Sequence, residues 1–144
     1  MIVPEIHTPY IAKVVVTPQD AIATHVRWKI TLSLAAALRE PLTERATRSI
    51  QHPEECSIHK WLLSGHTRHL HGTPEYRAVC DLHVEFHVQM LQIANLLNSG
   101  DFAEAERRIN APTPFQSASN ALANAVMALS RHRPSSQLCN QPAP

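Results

Sequence analysis

Cysteine and glycine are both scarce in this 144-residue chain. Three residues of each type occur, and the cysteines are Cys56, Cys80 and Cys139. Three is an odd number, and their spacing does not match a disulfide framework. The sequence therefore indicates free thiols in a reducing compartment rather than a disulfide-bonded secreted scaffold.

Long apolar runs and an excess of charge of either sign are also missing from the sequence. No stretch approaches the roughly 20 consecutive apolar residues that a bilayer-spanning helix needs. Lysine plus arginine number 13 and aspartate plus glutamate 12, which leaves a formal charge of +1. Nothing in this balance favours binding to nucleic acid or to an anionic membrane. The N-terminal residues lack a basic segment followed by an apolar one, so we predict no secretory signal and a cytoplasmic protein.

The chain has instead the composition of a folded domain and a surplus of histidine. Apolar residues make up 44% and charged residues 17% of the sequence, which is typical of a globular protein. Its 144 residues suffice for one domain with a substantial hydrophobic core. Ten histidines are a first indication of metal binding.

Helix start signals divide the chain into helical segments. Thr17-Pro18-Gln19-Asp20 combines a capping threonine, a proline suited to the first turn and an acidic residue, and similar signals stand at Thr73-Pro74-Glu75 and Thr113-Pro114. Apolar residues then recur at spacings of three and four. We predict long helices over residues 18–39, 74–98 and 114–131, and shorter ones over 42–50, 54–63 and 101–109.

These helices predict an all-α fold, an antiparallel four-helix bundle with a short extra helix that carries Cys56. The bundle is expected to span residues 17–132. Residues 1–16 are predicted to form an N-terminal arm, in which Val14-Val15-Val16 could be a short strand. Residues 133–144, which contain three prolines, are predicted to be a flexible C-terminal tail.

Three histidines and one cysteine stand at positions suited to a metal site. His83 and His87 are four residues apart on the strongest predicted helix, so both imidazoles lie on one face, one turn apart. His25 falls in the middle of the apolar stripe of the first helix, and Cys56 opens the short apolar helix. Each residue alone is more often a hydrogen-bonded core histidine or a small buried thiol. Together they offer three imidazoles and one thiolate, the donors of a closed tetrahedral zinc site.

Three segments that contain these residues resemble the chemoreceptor zinc-binding domain family. His25-Val26-Arg27-Trp28-Lys29 resembles the family's His-x-x-Trp-basic segment. Cys56-Ser57-Ile58-His59-Lys60-Trp61-Leu62 is similar to its Cys-x-(Leu/Phe/Ile)-Gly-x-Trp segment, with His59 in place of the glycine. His83-Val84-Glu85-Phe86-His87 resembles its paired-histidine segment. The order and spacing of the three segments agree over about residues 17–130.

The resemblance implies a function as well as a fold. It implies that His25, Cys56, His83 and His87 bind Zn²⁺ within a four-helix bundle, often dimeric, of the kind attached to bacterial chemoreceptors or diguanylate cyclases. That family is linked to sensing zinc and hypochlorous acid. We therefore expect a regulatory domain that signals through a homodimer or a bacterial signalling protein.

Other functions remain open at this point. Four protein ligands leave zinc no position for water, so we do not expect an enzyme. If Cys56 stayed free, however, three histidines would leave an open zinc site suited to a metalloenzyme. A purely structural zinc bundle is a further alternative, whereas a hemerythrin-like iron site is less favoured because the histidine faces lack carboxylates.

Two further features concern the surface. The histidine-rich segment His66-Thr67-Arg68-His69-Leu70-His71 is interpreted as a solvated loop in preference to a second, labile metal site. Ile30, Leu34 and Leu38 lie off the core stripe of the first helix. We predict that they form a dimer interface, with packing against the N-terminal arm as the alternative.

Overall fold

The computed structural model describes residues 17–110 and 112–132, and every regular element within them is helical. The six α-helices are α1 (Pro18–Leu38), α2 (Glu44–Gln51), α3 (Ser57–Leu62), α4 (Pro74–Asn98), α5 (Phe102–Asn110) and α6 (Pro114–Ser130). Short 3₁₀ turns lie at Pro53–Glu55 and Arg68–Leu70. The all-α prediction is thus confirmed for these residues. The predicted N-terminal arm, its possible strand and the C-terminal tail lie outside the described residues.

The three long helices begin at the predicted threonine caps. Thr17 Oγ1 accepts a hydrogen bond from the backbone N–H of Asp20 at 3.1 Å, and Asp20 Oδ2 accepts one from the backbone N–H of Thr17 at 3.0 Å. Thr73 and Thr113 cap α4 and α6 through their hydroxyl oxygens. These contacts satisfy backbone N–H groups that the start of a helix leaves unpaired. Local sequence therefore determines where each long helix begins.

The predicted helix over residues 54–63 is interrupted at Cys56. Pro53–Glu55 forms a 3₁₀ turn, Cys56 has extended backbone angles (φ −71°, ψ 146°), and α3 begins only at Ser57. Pro53 has no N–H to continue the ladder of α2, so α2 ends at Gln51 and a separate turn follows. Cys56 is consequently the N-cap of α3, and its side chain lies at the start of that helix.

The helices pack around one hydrophobic core. The largest helix–helix interface joins α4 and α6, while α1 packs against α3, α5 and α6. Phe86 of α4 and Phe115 of α6 stack at the centre, with ring centroids 5.7 Å apart and an interplanar angle of 19°. Both rings are 1% exposed, and full burial of a large apolar side chain contributes about 1.5–3 kcal/mol. No helix in the described part of the chain is long and apolar enough to cross a bilayer.

The face of α1 that carries His25 lies against the core, as the sequence predicts. Ala21, His25, Leu32 and Ala36 are buried, and Trp28 is half-buried. On α4, Val79, Phe86, Met90, Ile93 and Leu97 are buried together with His83 and His87. The core therefore holds three imidazoles among apolar side chains, and each of them needs a polar partner.

Candidate metal centre

Three possible metal-ligand atoms lie close together where α3 begins beside α4. They belong to Cys56, His83 and His87. One atom of each, the cysteine sulfur or a ring nitrogen, lies within 4.8 Å of the other two. Donors bound to one ion at about 2.0–2.3 Å are roughly 3.3–3.8 Å apart in a tetrahedral site. Small side-chain movements bring the three donors to that spacing. These residues therefore lie close enough to hold a metal ion.

The helix geometry of α4 positions the two histidines of this group. His83 and His87 are one turn apart and buried, with 2% and 3% of their surface exposed. Their ring centroids are 4.7 Å apart and the rings are nearly perpendicular, at 85°. This is the arrangement that the spacing of four residues predicts. The two Nε2 atoms can thus approach one ion from the same helix face.

A backbone contact fixes the orientation of the His87 ring. His87 Nδ1 donates to the carbonyl oxygen of Ile50, a buried residue in α2, over 2.9 Å. The N–H is then on Nδ1, and Nε2 keeps its lone pair. Metal-binding histidines usually donate their other ring N–H to a carbonyl or carboxylate in this way.

The turn that precedes Cys56 determines its position. Its backbone N–H donates to the carbonyl oxygen of Pro53 at 3.1 Å, which holds it as the N-cap of α3. The residue is half-buried. Burial raises the pKa of the thiol, and the backbone N–H groups of Ile58 and His59 at the start of α3 oppose that rise. A positive charge beside the sulfur would favour the thiolate that a metal ion requires.

His25 lies in the core beside this group without belonging to it. Its Nε2 is 2.7 Å from the hydroxyl oxygen of Ser119 in α6, and its ring stacks on Phe86, with centroids 4.0 Å apart and an angle of 11°. The three-residue group within 4.8 Å does not include it. That His25 is a metal ligand therefore remains a prediction.

The three histidines share one property that the rest of the described chain lacks. Among residues 17–110 and 112–132, the buried side-chain nitrogen and oxygen atoms without a hydrogen-bond partner are His25 Nδ1, His83 Nε2 and His87 Nε2. An unsatisfied buried polar atom costs about 1–3 kcal/mol, so three in one core are costly. A metal ion bound by these nitrogens would remove the cost. The donor chemistry of the residues present therefore fits a bound cation.

Burial also keeps the imidazoles neutral. It lowers the pKa of His25 to about 4, with a smaller effect from the charge of Lys29. Burial lowers the pKa of His83 to about 3, followed by the charges of neighbouring histidines. The pKa of His87 is lowered by burial as well. A neutral imidazole is the form that binds a metal, so the rings are ready to act as ligands near neutral pH.

His59, which stands where the resembled family has glycine, lies close to the site but outside the group of three. It is half-buried in the first turn of α3. The pKa of His83 is lowered most by burial, next by the charge of His87, and then by the charge of His59.

Sequence reasoning did not identify the partners that orient the histidines. Ser119 was detectable in principle, because it is a polar residue on the buried face of α6 between Phe115 and Leu122. The carbonyl of Ile50 carries no sequence signal, since every residue has one. The stacking of His25 on Phe86 depends on how α1 and α4 meet, which a single sequence does not specify.

Comparison with known proteins identifies no relative of this chain. No protein-family model, curated protein or solved structure matches the chain. The resemblance to the chemoreceptor zinc-binding domain therefore depends on its three quoted segments. The case for a metal centre depends on the positions of the side chains.

Proposed function

We propose that this protein is a zinc-binding regulatory domain of the chemoreceptor zinc-binding type, with no enzymatic activity of its own. One observation carries the proposal: each of the three predicted histidine ligands has one buried ring nitrogen without a hydrogen-bond partner. A fold that needed no ion would be more stable with apolar residues or paired histidines there. A core that leaves three imidazole nitrogens without partners is expected of a protein that binds a metal.

Zinc is the ion that suits the donors best. Thiolate and imidazole ligands favour zinc over magnesium, calcium or manganese, which prefer oxygen. Cys56, His83 and His87 supply three donors, and His25 Nδ1 is our candidate for the fourth. Its Nε2 contact with Ser119 is the kind of second hydrogen bond that orients a histidine ligand.

The proposed signal is an oxidant or a change in zinc concentration. A bound zinc ion stabilises the deprotonated form of the Cys56 thiol. Cys56 is only half-buried, so hypochlorous acid can reach it. The thiolate attacks the chlorine, hydroxide leaves, and hydrolysis of the sulfenyl chloride gives a sulfenic acid, chloride and a proton. A sulfenic acid is a poorer ligand than a thiolate, so oxidation releases α3 from the histidines of α4.

We propose that the change is transmitted through α1. This helix packs against α3 and α6, and it contains His25. Its outer face carries Val26, Ile30, Leu34 and Leu38, every fourth residue, with 46–59% of each side chain exposed. We propose a cytoplasmic homodimer, or a complex with a bacterial signalling protein, that covers this stripe. In this account α1, α4, α5 and α6 form the four-helix bundle and α3 is the extra helix that carries the cysteine ligand.

An open metal site is the second candidate, and the position of His25 favours it. Three donors lie within 4.8 Å of one another and His25 is not among them. If His25 stayed bonded only to Ser119, water would occupy the fourth position, as in catalytic zinc sites. The donor group contains Cys56, so this would be a Cys-His-His site rather than the three-histidine site considered from the sequence.

Oxidation of a protein with a single thiol tests the sensor. The Cys80→Ser/Cys139→Ser variant keeps Cys56 alone and should bind zinc like the wild type. Brief treatment with hypochlorous acid should add oxygen to Cys56, seen by peptide mass spectrometry, and release zinc, seen with a metal-binding dye. An unmodified Cys56 with zinc retained would leave a structural zinc bundle as the function.

A further inference from the structure

A cavity of about 350 Å³ is lined by three histidines from two distant parts of the chain. His66 and His69 come from the connection between α3 and α4, and His132 follows α6. Trp61, the start of α1, the end of α6 and two further loop residues form the rest of the wall. Among the described residues that line it there is no aspartate, glutamate, lysine, arginine or cysteine. Imidazole nitrogens are therefore its strongest metal donors.

The backbone that carries two of these histidines is held firmly. Thr67 is buried, and its hydroxyl donates to the carbonyl oxygen of Leu62 at 2.7 Å. The N–H of Leu70, which is also buried, donates to the carbonyl oxygen of Thr67 at 2.8 Å. Because Thr67 and Leu70 face inward, His66 and His69 are left exposed. Both imidazoles are thus presented to the cavity from a fixed turn.

His71, the third histidine of the loop, makes contacts outside the cavity. His71 Nε2 lies 3.1 Å from the carbonyl oxygen of Leu62, and its ring packs against Tyr76 with centroids 4.5 Å apart. His71 does not line the cavity. The histidines that the fold groups together are therefore His66, His69 and His132, rather than the three that are close in sequence.

We propose that His66, His69 and His132 bind a second, exchangeable Zn²⁺ ion. Neutral imidazoles suit zinc, copper and nickel, and do not suit calcium or magnesium. In the described chain the group of donors within 4.8 Å is the one at Cys56, so these three rings must rotate to meet an ion. His66 and His69 are exposed and His132 is half-buried, which leaves them room to rotate. Ordering exposed side chains opposes binding, so this site is weaker than the buried centre.

A zinc titration of protein already loaded with one equivalent tests the second site. Isothermal titration calorimetry of the wild type should detect one further, weaker binding event. The triple variant His66→Gln/His69→Gln/His132→Gln should lose that event and keep the first equivalent. His71→Gln is the matched control, because it removes an imidazole from the same loop while glutamine can still donate to the Leu62 carbonyl; it should keep both events.

Cobalt distinguishes this site from the buried centre. A Co²⁺ ion bound to Cys56 gives a thiolate-to-metal charge-transfer band, whereas an ion bound to three imidazoles gives none. One Co²⁺ equivalent should therefore bind to the wild type without contributing to that band, whether or not another equivalent binds at Cys56. The proposal is overturned if the wild type binds no Co²⁺ equivalent that lacks this band, if the triple variant retains that equivalent, or if His71→Gln loses it equally.

Discussion

His25 Nε2 and the hydroxyl oxygen of Ser119 lie 2.7 Å apart in the core, although 94 positions separate the two residues in the chain. This contact joins α1 to α6. It also leaves His25 Nδ1 as a buried nitrogen without a partner. Ser119 therefore determines which nitrogen of His25 is free to bind an ion.

Replacement of that hydroxyl should weaken zinc binding. In Ser119→Ala, His25 loses the contact that orients its ring, and loss of such a partner of a ligand typically costs about 10–100-fold in metal affinity. The variant should also lose about 1–3 kcal/mol of stability without zinc, because His25 Nε2 becomes a second unpaired nitrogen. Competition with a chelating dye measures the first effect and urea unfolding the second.

Ser117→Ala is the matched control for this experiment, because Ser117 lies on the exposed face of the same helix. It should behave like the wild type in both measurements. If Ser119→Ala lost stability but bound zinc with unchanged affinity, His25 would be a core histidine and the site would have three protein ligands.

Removal of the metal should lower the melting temperature reversibly. Zinc at 100 times its dissociation constant stabilises a protein by about 2.7 kcal/mol. At about 3 °C per kcal/mol for a chain of this size, a chelator should lower the melting temperature by about 8 °C. Added Zn²⁺ should restore it and Mg²⁺ should not, as scanning calorimetry can determine. Equal melting temperatures with and without chelator would mean that the fold does not depend on an ion.

A charge on the outer face of α1 should prevent the proposed dimer. Leu34 is 56% exposed in the middle of the apolar stripe, so Leu34→Glu should leave the stability of the chain nearly unchanged while it shifts the molar mass from dimer to monomer. Ala103→Glu adds the same charge at an exposed position of α5 and should remain dimeric. Light scattering with size-exclusion chromatography decides this, and a wild type that is monomeric at every concentration would contradict the dimer.

The helices could be predicted from sequence because their signals are local. Thr17, Thr73 and Thr113 each cap a helix through a residue three positions later, which a short window of sequence contains. Gly100 closes α4 with φ +85°, a conformation that glycine adopts without strain. The interruption at Cys56 has no clear local signal, because a proline followed by two acidic residues, Pro53–Glu55, is equally typical of the first turn of a continuous helix.

The candidate site could be predicted only in part. His83 and His87 are neighbours because of helix geometry alone, and the structure confirms their proximity to Cys56. The contact of His25 with Ser119, and of His87 with the carbonyl of Ile50, depends on tertiary packing. A sequence contains no local signal for such contacts. For the same reason, His132 could not be grouped with the histidines of the α3–α4 loop.

The zinc content of purified protein tests the central claim most directly. After dialysis that empties weak sites, mass spectrometry of the metal should find one zinc per wild-type chain. His83→Ala/His87→Ala should lose it, because the variant removes two of the three donors that lie within 4.8 Å of one another. His52→Ala, which removes an exposed imidazole bonded to Glu54, should keep one zinc. A double variant with full zinc occupancy, or a wild type that binds no zinc when it is supplied, would contradict the metal centre.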